Sequence, residues 1–255
     1  MRRDAVWSVA HRGASRDCPE NTLAAFDEAL GQGCDGIELD VQLSADGVPV
    51  VWHDRTLSRA GGGRRRVSRL DLEEIRRLQP GAGHGPAFRD ERIPTLEEVL
   101  RRYAARTRLL LEIKHRHRAV ASEPFEELAR SVAEQATRCT NARGLYFLSF
   151  DPAVLRICAT IAPEIPRVLN IRRVAGSLRE LATALHQVAV ASADVRYVTP
   201  AQLRKVREVG VPLWIYTCNT PARVEKALRA GAVAIMSNRP GWLSSYLRTR
   251  RSDEA

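Results

Sequence analysis

The chain has 255 residues, 44% of them apolar, and its 40 basic residues, only three of them lysines, outnumber 30 acidic ones to give a net charge of +10. The length is close to the roughly 250 residues of a single (β/α)8 barrel, and no apolar run approaches the roughly 18 residues a membrane span requires. Five scattered cysteines without a CxxC pair argue for reduced thiols, and 5% aromatics without an RNP-type or zinc-finger pattern argue against nucleic-acid binding.

Met1 to Ala10 is too short and too polar for a signal peptide, so a soluble cytoplasmic protein without membrane insertion is expected. The oligomeric state is left open. Eight β-rich runs follow in order: Ala5–Ala10, Gly36–Val41, Leu109–Lys114, Leu145–Phe150, Arg167–Ile171, Val195–Val198, Pro212–Thr217 and Val233–Ser237. Helical patterns lie between them. Asp151-Pro152, Thr199-Pro200 and Thr220-Pro221 each place a capping side chain before a proline at the first helical position, and Gly210 and Gly231 sit where C-terminal caps belong. Repeated strand–helix units predict an α/β fold, a (β/α)8 TIM barrel over residues 1–247, with a doubly wound open sheet as the alternative. The charged stretch 248–255 is expected to be a frayed, disordered tail.

Two features interrupt the alternation. Asp46-Gly47 between apolar runs is a hairpin signal, which extends the second strand and, with a two-residue loop, sets Asp40 opposite His53. Residues 55–92, with Gly61-Gly62-Gly63, Arg64-Arg65-Arg66 and a short helix near Leu72–Leu78, read as a flexible loop/helix cover over the barrel mouth.

Polar residues inside apolar strands carry the chemistry. Glu38 and Asp40 are two apart on one strand and share a face, which in a barrel is the interior. Two buried carboxylates repel unless a positive charge lies between them, either arginine or a divalent metal. Glu112 and Lys114 share a face of the next strand, as an ion pair or as a third ligand beside an anion binder. An all-carboxylate site suits one hard cation, Mg²⁺ or Ca²⁺. His11 and Arg12 end the first strand; His53 is expected at the same rim. Two imidazoles can serve as acid and base near neutral pH, and Arg12 can grip a phosphate oxygen. Asp54 either orients an imidazole or caps the next turn. Either Asn21 or Thr22 caps the helix Leu23–Leu30, which leaves Glu20 free to face the site.

The string His11-Arg12-Gly13, Pro19-Glu20-Asn21-Thr22, Ala25-Phe26, Glu38-Leu39-Asp40-Val41, Asp46-Gly47 and His53-Asp54 closely resembles the signature of the glycerophosphodiester phosphodiesterase family. Glu112-Ile113-Lys114, Ser149-Phe150, Thr217 with Asn219, and Pro240 resemble its later markers. The resemblance implies a TIM barrel that hydrolyses a small-molecule glycerophosphodiester to an alcohol and glycerol 3-phosphate with one divalent cation. It implies Glu38, Asp40 and Glu112 as metal ligands, His11 and His53 as the acid–base pair, and Arg12 and Lys114 as phosphate-binding cations. Glu20 and Asn21 fill supporting motif positions. The nucleophile is water or, as the resemblance suggests, the substrate's own 2-hydroxyl. Two departures bear on specificity: Tyr216-Thr217-Cys218-Asn219 where the family has Trp-Thr-x-Asn, with Trp214 two earlier, and Ser237-Asn238-Arg239-Pro240 where it has Thr-Asp-x-Pro. A lysophospholipase D using the same residues, and a non-catalytic anion- or nucleic-acid-binding barrel, are the rival readings.

Overall fold

A computed structural model describes residues 6–115, 125–140, 142–171, 183–184 and 186–253; Ala5, the first residue of the first expected strand, lies outside them. Eight parallel strands close into a barrel: β1 (Trp7–His11), β2 (Gly36–Leu43), β4 (Arg108–Ile113), β5 (Leu145–Ser149), β6 (Arg167–Ile171), β7 (Val190–Asp194), β8 (Leu213–Tyr216) and β9 (Ala232–Ser237). β1 pairs with β9 on one side and with β2 on the other, which completes the ring. The short β3 (Pro49–Val51) adds antiparallel to β2.

Strand alternation sorts the side chains into two cores. Ile37, Leu39 and Val41 of β2 and Leu109, Leu111 and Ile113 of β4 face the helices, where they join Phe26, Val99 and Val132. Inside the barrel Val9, Leu110, Leu148, Val168 and Met236 pack together. Trp7, Tyr146 and Trp214 fill one end of this interior, with ring centroids 5.1–6.1 Å apart. Interior positions nearer the strand C-termini are polar, and there the site lies.

The proline-led helices begin where the capping residues predict. Asp151 caps Pro152–Ile161, and Thr199 forms a capping box on Pro200–Val209, which ends at left-handed Gly210. Thr220 precedes Pro221–Arg229 but makes no side-chain cap bond.

Several expectations are corrected. The sixth barrel strand, β7, is Val190–Asp194, not Val195–Val198, which falls in the turn after it. Apart from Val190, its Val-Ala-Ser-Ala-Asp sequence lacks the branched and aromatic residues that mark strands; small Ala191 and Ala193 pack outward under the helices. The hairpin register is displaced by one: Val41 pairs with Val51 and Leu43 with Pro49, so the Trp52 amide bonds the Asp40 carbonyl at 2.9 Å. The loop has three residues, because Ser44 Oγ accepts from Val48 N at 2.9 Å and Gly47 adopts φ 78°. The third correction concerns the tail. The last helix runs Pro240–Asp253 through the charged stretch, where Tyr246 Oη donates to Glu225 at 2.8 Å and Arg250 pairs with the same carboxylate at 3.1 Å. Residues 254–255 lie outside the described chain.

The cover holds three-residue helical turns and the helix Leu72–Arg76. Its scattered apolar residues gather with the hairpin into a separate core of Val50, Trp52, Leu57, Val67, Leu70, Ile75 and Ile93. Packing and the bond from Ala45 N to Leu70 O (2.8 Å) dock it beside the hairpin, so it is a packed unit and not a flexible strap. No helix among the described residues is long and apolar enough to cross a membrane.

Candidate active site

The turn after β1 sets the first side chains. Arg12 has φ 61° and Gly13 φ 81°, and a Cβ on Gly13 would lie 2.7 Å from Ala25. Only glycine serves there, since an L side chain meets both backbone strain and a clash. The Arg12 amide bonds the Glu38 carbonyl at 2.9 Å and Glu38 Oε2 at 3.1 Å, so the strained turn is held by the strand that carries the carboxylates.

Asn21 and Thr22 divide their two tasks. Thr22 caps the helix, its Oγ1 accepting from Ala25 N at 3.2 Å. Asn21, at φ 60°, is buried and donates from Nδ2 to Asp40 Oδ2 at 2.8 Å.

Register places Glu38 beside His11 and Asp40 beside Glu112 on neighbouring strands. Oxygens of Glu38, Asp40 and Glu112 lie within 4.8 Å of one another, and all three residues are buried. Arg12 Nε meets Asp40 at 3.1 Å and Lys114 Nζ meets Asp40 Oδ1 at 2.7 Å while also contacting Glu112. Asn170 Nδ2 donates to Glu112 Oε2 at 3.1 Å. Burial, then Asp40 and Glu112, push the Glu38 pKa well above the ordinary carboxyl range. Burial would do the same to Asp40, but Lys114 and Arg12 outweigh it and hold Asp40 well below that range. Glu38 Oε1 is buried without a hydrogen-bond partner. Three convergent hard oxygens, one of them orphaned, fit a divalent cation and match the donor set of magnesium or calcium.

Both histidines line the same cavity of 470 Å³. His11 Nδ1 lies 2.8 Å from Asn238 Oδ1 and His53 Nδ1 lies 2.8 Å from Asp54 Oδ1. Each partner oxygen can only accept, so Nδ1 carries the proton and Nε2 is the bare nitrogen of each neutral ring. Burial, reinforced by Arg12, lowers the His11 pKa to about 3. Burial also lowers that of His53, against the opposing pull of Asp40 and Asp54. Asp54 thus orients an imidazole, and Arg59 ties it at 2.6 Å to the cover and, also at 2.6 Å, to Glu20. Glu20 in turn accepts from Arg12 at 3.2 Å.

Every site residue expected from sequence therefore falls in one connected cluster. Sequence reasoning passed over Asn170, although it is a polar residue inside an apolar strand like Glu112. It also passed over Asp194, Arg196 and Tyr197, hidden by the misplaced sixth strand; Asp194 holds the Arg196 guanidinium through bonds of 2.7, 3.0 and 3.2 Å. Tyr216 lines the cavity, whereas Trp214 belongs to the aromatic cluster below it. The cysteines stay out of the cavity, and burial pushes the Cys34, Cys158 and Cys218 thiols up to about 12.

Residues 11–242 match the model of the glycerophosphoryl diester phosphodiesterase family. The chain belongs to this family. A family enzyme named glycerophosphodiester phosphodiesterase from Caldanaerobacter subterraneus is 32% identical over 242 residues, covering 94% of this chain and 97% of the relative. The mouse glycerophosphodiester phosphodiesterase 1 is 49% identical over 100 residues, 38% of this chain and 30% of its own length. Among solved structures, a phosphodiesterase of Oleispira antarctica in complex with its product sn-glycerol-3-phosphate superposes with a TM-score of 0.82 at 29% identity, covering 94% and 96% of the two chains. Family membership and barrel topology agree, and the chain is an enzyme of this class.

Proposed function

We propose that the chain hydrolyses glycerophosphodiesters to glycerol 3-phosphate and a free alcohol, using a divalent cation held by Glu38, Asp40 and Glu112. The observation that carries this reading is the convergence of three buried carboxylates on two cations, Arg12 and Lys114, in a cavity that two histidines also line. The product bound to the Oleispira relative is the one this reaction releases. When bound, the cation would draw charge from a phosphoryl oxygen and lower the cost of the crowded carboxylates. Arg12 and Lys114 bind the remaining phosphoryl oxygens and stabilise charge that builds there in the transition state.

The two histidines differ in environment and so in role. His11, beside a neutral amide, stays unprotonated at neutral pH, so its bare Nε2 is free to accept the nucleophile's proton. His53, beside the Asp54 carboxylate, is better suited to carry a proton and deliver it to the leaving alkoxide. Asn21 positions Asp40, and Glu20 positions Arg12 and Arg59. A lysolipid substrate is less well supported: the cover's apolar side chains are buried in their own core, so they provide no wall for an acyl chain.

The test is release of glycerol 3-phosphate from glycerophosphodiesters in Mg²⁺ or Ca²⁺, before and after chelation. Activity that is abolished by EDTA and restored by the cation supports the reading; full activity in EDTA, or release from lysolipids alone, overturns it.

A further inference from the structure

The cations around the site fall into two groups. On the β1–β2–β4 side, Arg12, Arg59 and Lys114 are all matched by carboxylates. Arg196, on the far side, is matched by Asp194. Three others are not. Arg223 lines the main cavity and donates only to the Thr217 carbonyl, at 3.4 Å. Arg16 and Arg239 line a second cavity of 400 Å³, which shares Asn219 and Asn238 with the first. No carboxylate pairs with any of these three guanidinium groups among the described residues. Asp17, the one acid lining the second cavity, accepts from Gln32 at 3.1 Å and offsets one of the two arginine charges there, which leaves the compartment net positive.

Arg16 and Arg239 come from the loops after β1 and β9, and Arg223 from the first turn of the helix after β8; these are three adjacent strands of the ring. The carboxylate cluster lies on β2 and β4, so β8 stands four strands from β4, diametrically across the barrel. The Arg16 amide bonds the Asn238 carbonyl at 3.0 Å, which joins two of these loops into one wall. Asn219 Oδ1 accepts from Asn238 N at 2.9 Å and fixes the partition between the cavities. A substrate whose phosphodiester rests beside Arg12 and Lys114 therefore has a second compartment within reach, bordered by net positive charge, with Arg239 held over the Trp242 ring at 5.3 Å. Like charges held close together repel, and an anion between them relieves that repulsion while meeting planar donors suited to phosphate or carboxylate.

We propose that this arc of loops is a second anion subsite, and that the preferred substrates are glycerophosphodiesters whose alcohol carries its own phosphate or carboxylate. The inference rests on the glycerophosphodiesterase reading above. Glycerol is uncharged, so the second anion belongs to the alcohol half. The same net positive charge disfavours cationic alcohols such as choline.

The test compares kcat/KM for glycerophosphoinositol 4-phosphate, glycerophosphoinositol and glycerophosphocholine, whose alcohols are anionic, neutral and cationic. One new charge-assisted contact predicts a preference of about tenfold or more for the phosphorylated inositol over the unphosphorylated one. The double variant Arg16→Ala/Arg239→Ala, checked for an unchanged melting temperature, should bring that ratio towards one. Hydrolysis at equal kcat/KM, or a ratio that the double variant does not move, overturns the subsite and leaves the enzymatic reading standing. No hydrolysis of any of the three overturns both.

Discussion

Asn21 and Asp40 clasp one another: the Asn21 amide donates to Asp40 Oδ2 at 2.8 Å, and Asn21 Oδ1 accepts from the Asp40 backbone at 3.3 Å. Two bonds from a rigid, left-handed residue orient a buried carboxylate that faces Arg12, Lys114 and the other two acids. Partners of this kind commonly set metal affinity. Asn21→Ala is expected to weaken Mg²⁺ or Ca²⁺ binding roughly 10- to 100-fold. Titration calorimetry on the folded variant decides it; unchanged affinity would remove Asn21 from the site.

The histidines should be separable by what rescues them. His11→Ala and His53→Ala are each expected to lower turnover by roughly 10²- to 10⁴-fold. A substrate with a strongly acidic leaving alcohol needs no proton from the enzyme, so it should recover much of the His53 loss and little of the His11 loss. Equal recovery in both variants contradicts the assignment of base and acid.

Cation binding should release protons. Glu38 is driven towards its protonated form by burial and by Asp40 and Glu112, and that proton must leave before a cation binds. Apparent affinity is therefore expected to rise with pH across the mildly acidic range. Calorimetry in buffers of different ionisation enthalpy measures the release, and Glu38→Gln should abolish it. A buffer-independent heat in the unsubstituted protein is the contrary result.

His11 makes stability pH-dependent in a definite direction. Its folded pKa, about 3, lies below the unfolded value, so the unfolded chain takes up a proton first as pH falls. The contribution is present above about pH 6.5 and is lost progressively below it, amounting to at most about 2 kcal/mol at pH 5 because the ring is partly exposed. Urea midpoints at pH 7 and pH 5, in EDTA, should shift more for the unsubstituted protein than for His11→Asn. Equal shifts would count against a neutral buried imidazole.

Gly13→Ala tests the turn itself. A left-handed φ costs about 1–2 kcal/mol for an L side chain, and the close approach to Ala25 adds about 1–3 more. Denaturant unfolding should show the sum, and a loss under 1 kcal/mol would mean that the turn can relax.

Much of this site was legible because its signals are local. Glu38 and Asp40 announce themselves as acids two apart in an apolar strand, and the Asp-Gly pair marks a hairpin. What escaped depends on longer range or on finer balance. The hairpin register turned on Ser44 bonding the Val48 amide, which a two-residue loop would not need. Asn21 and Thr22 were interchangeable as caps until Asp40 was placed beside one of them. The sixth barrel strand is written mostly in alanine and serine, which carry little strand propensity. Asn238 reaches His11 across 227 positions, a contact that no spacing rule anticipates.

The packed cover has a consequence for how the molecule fails. His53, Asp54 and Arg59 stand next to an apolar cluster of nine residues, whereas the barrel beneath is sealed by the far larger cluster around Phe26, Leu39 and Val132. A small core gives way first when heated. The rim that carries His53 should then come apart while the barrel still holds its circular dichroism, so the temperature at which turnover is lost marks the cover and not the fold.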